Sequence, residues 1–234
     1  RSEQQVANLF DRKVKVFPPP GLSARDNFFS RTRQELPGRL YVGVCAPGVR
    51  MKTALIRCYL SLLSCAQTLA TRYGERADSW MTTVGYFNSL RELGGMRRLT
   101  EDQVATRLRR MDRWGMSTRA LFPERIEELT SRIGAGDIPK ILERLETPVL
   151  GGKGGIELLL ATNMLSVGVD ISRLGMLVVA GQPKSTAEYI QATSRVGRSQ
   201  DGPGLVMTVF NWARPRDLSH YEKFDYYHQT FYQQ

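Results

Sequence analysis

The sequence is poor in the residues that build metal centres and disulfide frameworks. Its 234 residues hold three cysteines and two histidines. Cys45, Cys58 and Cys65 are odd in number and lack metal-ligand spacing, and His220 and His228 stand isolated, so no metal site is expected. Cys58 and Cys65, seven apart in an apolar helical pattern, read as buried reduced thiols, which fits a cytoplasmic protein. Long apolar runs are also missing: none approaches the ~20 residues of a membrane helix, and no membrane association is expected. There is no signal peptide, and the chain opens on Arg1 rather than Met. It reads as a fragment of a longer protein, with missing sequence upstream at least. No internal repeat or low-complexity tract is visible.

A phosphate-gripping loop is missing as well. The stretch GVCAPGVRMKT (43–53) spaces Gly43 and Gly48 as a P-loop would, but Val49 follows, and Lys52 and Thr53 arrive three positions late. A P-loop needs its lysine directly after the second glycine, to reach the terminal phosphates while backbone N–H groups cradle them. The stretch reads instead as a strand-to-helix turn. No apolar strand ends in a paired acidic motif for Mg²⁺.

Positive charge is abundant. The net charge is +10 and the pI near 9.8. Arginine supplies most of it, with 26 Arg against 7 Lys. A strongly basic globular chain is a candidate nucleic-acid binder, and the guanidinium fork suits phosphate oxygens. A GC-rich genome also favours arginine, so that bias alone decides little.

The pattern along the chain is one of alternation. Residues 1–39 are mixed, with a short helical pattern ending at Val6, Leu9 and Phe10, a short strand at VKVF (14–17) and a polar, turn-rich stretch over 21–39. Apolar strands are expected at 40–46, 80–87, 126–130, 156–162, 176–181 and 205–210. Helices are expected at 51–72, after Asn88 or Ser89, at 101–113, at 138–146 with Asp137 as N-cap, at 186–197 and in the tail. The strands are uniform apolar runs, which predicts an α/β fold with a mostly parallel sheet sandwiched by helices. Ligands of such sheets sit beyond the carboxyl ends of the strands.

Two segments stand out: ATNMLSVGVDI (161–171) and EYIQATSRVGRS (188–199). In the second, Arg195 and Arg198 are three apart at a helix end, with Gln191 one turn earlier, a candidate phosphate-binding face. A solvated basic helix end is the plain alternative. Together these segments resemble motifs V and VI of the second RecA-like lobe of superfamily 2 helicases, in the right order and separated by one strand, MLVVA. WMTTVGYFNSLREL resembles motif IV, and IEELTSR the strand and turn that follow. The resemblance covers about residues 40–212. Within the superfamily, FPPPG, LYVG, ELTSRI and FNWARPRDLSHYE resemble the large helicase-like proteins of bacterial DISARM phage-defence systems.

The resemblance implies a RecA-like lobe (40–212) without its own P-loop, preceded by an extension (1–39) from a missing first lobe and followed by a helical tail (213–234). It implies that Arg195 and Arg198 act as arginine fingers toward ATP and Mg²⁺ held mainly by that first lobe. Gln191, Gly168 and Asp170 would lie near the same nucleotide. Thr162 and Asn163 would touch a nucleic-acid backbone, with Asn88, Ser89, Thr130, Ser131 and Arg132 on equivalent rims of the sheet; helix capping and turn chemistry would explain these residues equally. DNA is expected over RNA, and other defence-system subunits are possible partners. Ala192 and Ser194 depart from the motif, standing where many relatives have Arg and Gly. Residues 94–125 read as an insertion whose arginines extend a DNA track or coat a solvated helix face. Tyr221, Phe224 and Tyr227 share one face of the tail, to stack on bases or to pack on the lobe. The chain as a whole reads as part of an ATP-dependent helicase or translocase, inactive as an isolated fragment. The alternative is a non-catalytic basic binding module on a degenerate helicase fold.

Overall fold

The computed structural model describes residues 2–13, 15, 35–36, 38–152, 154–162, 171–199 and 202–230. The chain divides into two units, one of residues 1–36 with 232–234 and one of residues 37–231. In the first, a helix α1 spans Ser2–Phe10. Its Leu9 and Phe10 are solvent-exposed. The strand expected at 14–17 lies outside the described residues apart from Lys15, which is not in a strand.

The second unit is a six-stranded sheet. Its strands are β1 (Arg39–Cys45), β2 (Thr83–Phe87), β3 (Ile126–Leu129), β4 (Leu158–Ala161), β5 (Met176–Ala180) and β6 (Gly204–Phe210). They are ordered β1-β6-β5-β2-β4-β3, and every pairing is parallel. Parallel strands need crossovers, and the helices that make them cover both faces. This explains why β2, β4 and β5 are buried at every position instead of alternating.

One face packs against α2 (Met51–Tyr73), whose Leu55, Tyr59, Leu63 and Ala66 meet Leu158, Leu160, Met176 and Val178 in one core. Gly85 is required here, because a Cβ would clash with the buried Tyr59 hydroxyl. The run Met51–Met81 is long and apolar enough to cross a membrane by length and composition, so the expectation that none is needs correction. Much of it is buried against the sheet, as in a core helix. Of the two helix cysteines, only Cys58 is buried, and burial pushes its thiol up to about 11. Cys65 is exposed because it shares the outward stripe of Arg57 and Ser61, four residues apart along the helix.

The opposite face packs against α7 (Ile138–Glu146) and α8 (Thr186–Thr193), with Ile141, Leu145, Tyr189 and Ala192 against Val84, Leu159, Leu177 and Val206. The tail forms α9 (Pro215–Glu222) and α10 (Phe224–Thr230). Buried Tyr227 joins this same core, so the tail packs on the lobe. A hydrogen-bonded chain fixes α10: the Tyr189 hydroxyl lies 3.0 Å from Thr208 Oγ1 and 2.9 Å from His228 Nε2, and His228 Nδ1 lies 2.8 Å from the Phe224 carbonyl. Because a carbonyl only accepts, Nδ1 carries the hydrogen and neutral Nε2 accepts from Tyr189. Burial pulls the His228 pKa down.

Several element boundaries differ from expectation. Trp80 and Met81 belong to a helical turn, α3 (Asp78–Met81), not to β2. The Asp78 carboxylate accepts N–H bonds from Val149 and Leu150 at 2.7 and 2.8 Å and pairs with Arg173 at 2.9 Å, and this anchors the turn. Beyond α5 (Met96–Leu99), the helix expected at 101–113 is broken into a π-helical turn (Thr100–Val104), α6 (Ala105–Leu108) and a 3₁₀ turn (Met111–Trp114), so that Val104, Leu108 and Met111 all reach the core. Asp137 does occupy the N-cap position of α7, but its carboxylate binds Lys140 at 2.9 Å and caps no N–H. Beneath α2, Arg119 is 5% exposed and pairs with Glu157 at 2.8 Å, its other N–H groups going to the carbonyls of Met81 and Leu63. Burial lowers the Arg119 pKa, while Glu157 opposes the shift.

Candidate nucleotide and nucleic-acid rims

Each strand runs between two rims of the sheet, and the candidate residues divide between them. The turn after α8 lies on the amino-terminal rim, beside the starts of β1, β5 and β6, and not beyond the carboxyl ends of the strands where the parallel sheet leads a ligand to be expected. The helix begins at the capping residue Ser185, whose Oγ accepts the Glu188 N–H at 3.2 Å, and it ends at Thr193. The expectation of a helix to 197 is therefore corrected: Gln191 is helical, whereas Arg195 and Arg198 sit on a turn, and helical spacing does not relate the two arginines.

The turn is held by residues far away in sequence. Gly197 has φ +61°, and its N–H donates to the Leu174 carbonyl at 2.8 Å. A Cβ on Gly197 would stand 2.5 Å from the Gly204 Cα, so two glycine backbones touch here and neither position has room for a side chain. Arg39, the first residue of β1, donates from Nε to the Val196 carbonyl at 2.6 Å and from Nη2 to the Ser194 carbonyl at 3.3 Å. Of the two departures from the motif, Ala192 is buried in the core and the Ser194 hydroxyl donates to the Gln191 carbonyl at 3.1 Å. Gln191 and Arg198 are exposed and Arg195 is half-buried. The result is a rigid turn bearing two guanidiniums, suited chemically to phosphate oxygens.

The carboxyl-terminal rim carries Asn88, Ser89, Thr130, Ser131, Arg132 and Thr162. Asn88, after β2, donates from Nδ2 to the carbonyls of Ala180 and Gly181 at 2.9 and 3.3 Å, tying the ends of β2 and β5 together. Ser89 accepts the Glu92 N–H at 3.2 Å and caps α4 (Leu90–Leu93). Thr130 is buried, and its Oγ1 accepts the Arg132 N–H at 3.3 Å. Capping and turn chemistry thus accounts for Ser89 and Thr130. Ser131 and Arg132 are exposed. Thr162 is buried, its N–H donating to the Leu129 carbonyl at 3.2 Å, and its Oγ1 lacks a hydrogen-bond partner in the described structure. Asn163, Gly168 and Asp170 lie outside the described residues. Beside this rim, fully buried Asp217 of α9 accepts the N–H groups of Gln182 and Asn211 at 3.3 and 2.9 Å and fastens the tail to the ends of β5 and β6.

The sequence reading overlooked Arg39, Gly204 and Asp217. Arg39 acts 157 residues from its partner Val196, and no local signal marks it. Asp217 had one: an acidic residue in the first turn of a helix opened by Pro215. Among the described residues no group of three or more His, Cys, Asp or Glu side chains is placed to hold a metal ion.

Comparison with known proteins bears on the fold. Residues 104–200 match the helicase conserved C-terminal domain. Over 236 aligned residues, 99% of this chain, the sequence is 48% identical to the DISARM protein DrmA of Bacillus paralicheniformis. The chain spans 21% of the length of that relative. Among solved structures, the DUF1998 helicase MrfA bound to DNA and AMPPNP superposes with a TM-score of 0.59 at 16% identity, covering 86% of this chain and 24% of MrfA. Saccharomyces cerevisiae Dbp5 bound to RNA and ADP BeF3 gives 0.54 at 14% identity, covering 94% of this chain and 45% of Dbp5. The chain therefore has the fold of a RecA-like helicase C-terminal lobe, and over nearly all its length its sequence is similar to a segment of the DISARM protein DrmA.

Proposed function

We propose that this chain is the C-terminal RecA-like lobe of an ATP-dependent superfamily 2 DNA helicase or translocase acting in bacterial anti-phage defence in the cytoplasm. The observation that carries the reading is the clamped turn: Arg39, Gly197 and Gly204 hold the backbone around Arg195 and Arg198 on one rim of the sheet. A binding module has no need of two guanidiniums on so constrained a turn.

In this reading a first lobe elsewhere in the protein holds ATP and Mg²⁺, whose hydrolysis supplies the free energy for movement. Arg195 and Arg198 reach the nucleotide across the cleft between lobes and place fixed positive charge where negative charge develops, an effect of about 10³–10⁵ in rate where such fingers are supplied. Gln191, Gly168 and Asp170 complete that side. Thr162 and Asn163, with Asn88, Ser89, Thr130, Ser131 and Arg132 as the neighbouring rim, contact the DNA backbone without reading bases. Among the described residues, Arg195 and Arg198 follow α8 on the amino-terminal rim, whereas Thr162, Asn88, Ser89, Thr130, Ser131 and Arg132 follow strands on the carboxyl-terminal rim, about 17 Å away for a five-residue strand. The hydrogen-bonded parallel sheet joins the two rims, and in this reading a shift of the arginine rim on ATP closure moves the DNA rim with it.

The test is ATP hydrolysis by the full-length protein with and without single-stranded DNA, as wild type and as Arg198→Ala. The expected result is DNA-stimulated turnover that collapses in the variant while nucleotide still binds. Unchanged turnover in the variant, or none in the wild type, would leave a basic binding module instead.

A further inference from the structure

Away from both rims, a groove of about 760 Å³ runs along the outer shoulder of α2. Its floor is apolar: Leu60 from α2, with Met111 and Met116 from the segment that follows α6. Its walls carry four arginines, Arg57 on α2 and Arg107, Arg110 and Arg113 opposite. None of the four makes an ion pair with a carboxylate among the described residues. Their neighbours are already engaged: Arg97 pairs with Glu101 at 3.0 Å and with Glu127 at 3.7 Å, and Arg98 with Asp102 at 3.5 Å.

At the groove's end stands Trp114, 80% exposed. It is not on a loose loop. The Gly115 N–H donates to the Asp112 carbonyl at 2.9 Å, Gly115 takes φ +69°, and the Met116 N–H returns to the Met111 carbonyl at 3.1 Å. The hydrogen-bonded turn leaves the indole in solvent while Met116 packs against the core. A large exposed aromatic on such a turn, lining one groove with two pliable methionines and four arginines, has the composition of a protein-interaction hot spot.

We propose that this groove docks an acidic amphipathic segment of a partner protein. Apolar side chains of the segment fill the Leu60–Met111–Met116 floor against Trp114, and its carboxylates meet the arginine walls. Charge complementarity fixes the sign of the occupant. The floor separates a peptide from a nucleic acid: thioether and isobutyl groups offer phosphates no donors, and one tryptophan is not the row of stacking platforms on which successive bases lie.

The proposal is tested on the full-length protein with a fluorescein-labelled peptide of about 16 residues carrying Leu and Phe at i, i+3, i+4 and i+7 and Glu or Asp elsewhere. A matched peptide with Lys at the acidic positions is the control, and oligothymidine the competitor. The expected result is binding of the acidic peptide only, weakened about tenfold by Trp114→Ala and by Arg110→Glu with Arg113→Glu, and undisturbed by oligothymidine. Arg57→Glu, on the opposite wall, should weaken it similarly, and circular dichroism confirms that each variant is folded. No binding of the acidic peptide, or equal binding by the variants, overturns the proposal. So does a loss of oligothymidine affinity matching the loss of peptide affinity, which would assign the groove to nucleic acid.

Discussion

Arg39 Nε donates to the Val196 carbonyl at 2.6 Å, joining the first residue of β1 to the turn between Arg195 and Arg198. Its Nη2 reaches the Ser194 carbonyl as well, so one guanidinium holds two successive bends of that turn. Arg39→Met should cost about 1.5–3 kcal/mol of stability, the range for hydrogen bonds involving a charged group, read by urea unfolding. In the full-length protein it should also lower ATP turnover by loosening the turn. Arg39→Lys should not rescue either effect, because an ammonium cannot reproduce a two-pronged fork.

Gly197 offers a second handle on the same turn. Its φ of +61° disfavours any other residue, and the Gly204 Cα leaves no space for a methyl. Gly197→Ala should destabilise the lobe by about 2–4 kcal/mol, combining left-handed strain with overpacking. Thermal unfolding would read this loss. A variant as stable as wild type would mean that the two glycine backbones are not in contact.

The docking of α10 should depend on pH through His228. Burial, the main influence, lowers its folded pKa below the ordinary 6.5, opposed by the Phe224 carbonyl and Asp225. A lowered folded pKa means that the unfolded chain binds the proton more readily, so stability is full above about pH 6.5 and falls as the pH drops through the folded value. Protonation also places a second N–H against the Tyr189 hydroxyl, which now donates to Nε2. Melting temperatures measured from about pH 7.5 down to 5 should fall more in wild type than in His228→Phe.

The central strands and α2 were legible in the sequence because uniform apolar runs leave little choice: β4, β5 and α2 each lie within a residue or two of where their side chains predict. The misjudged boundaries share one physical cause, partners distant in sequence. The α8 pattern runs on through Ser194 and Arg195, and it stops because Gly197 is drawn to the Leu174 carbonyl. Trp80 and Met81 look like strand residues, yet the Asp78 carboxylate serves the backbone of Val149 and Leu150 and holds them in a helical turn. The charged stretch after Arg98 has helical composition throughout, and only the demand that Val104, Leu108 and Met111 face one core breaks it. Of the candidate site, the motif marks Arg195 and Arg198 as candidates in the sequence, while the separation of the two rims and the Arg39 clamp are products of topology that no local pattern announces.

The strand order ends at β3, a strand of only four residues. Such a boundary presents backbone donors and acceptors to any chain that drifts past, and proteins guard it with brevity and charge. Here the guards are Glu127, paired with Arg144 at 2.6 Å, and its neighbour Glu128. A second copy laying a strand alongside would have to dehydrate both carboxylates to gain a few hydrogen bonds. Brevity and charge thus weigh against edge-to-edge pairing on this flank, and stacking into fibres is disfavoured there.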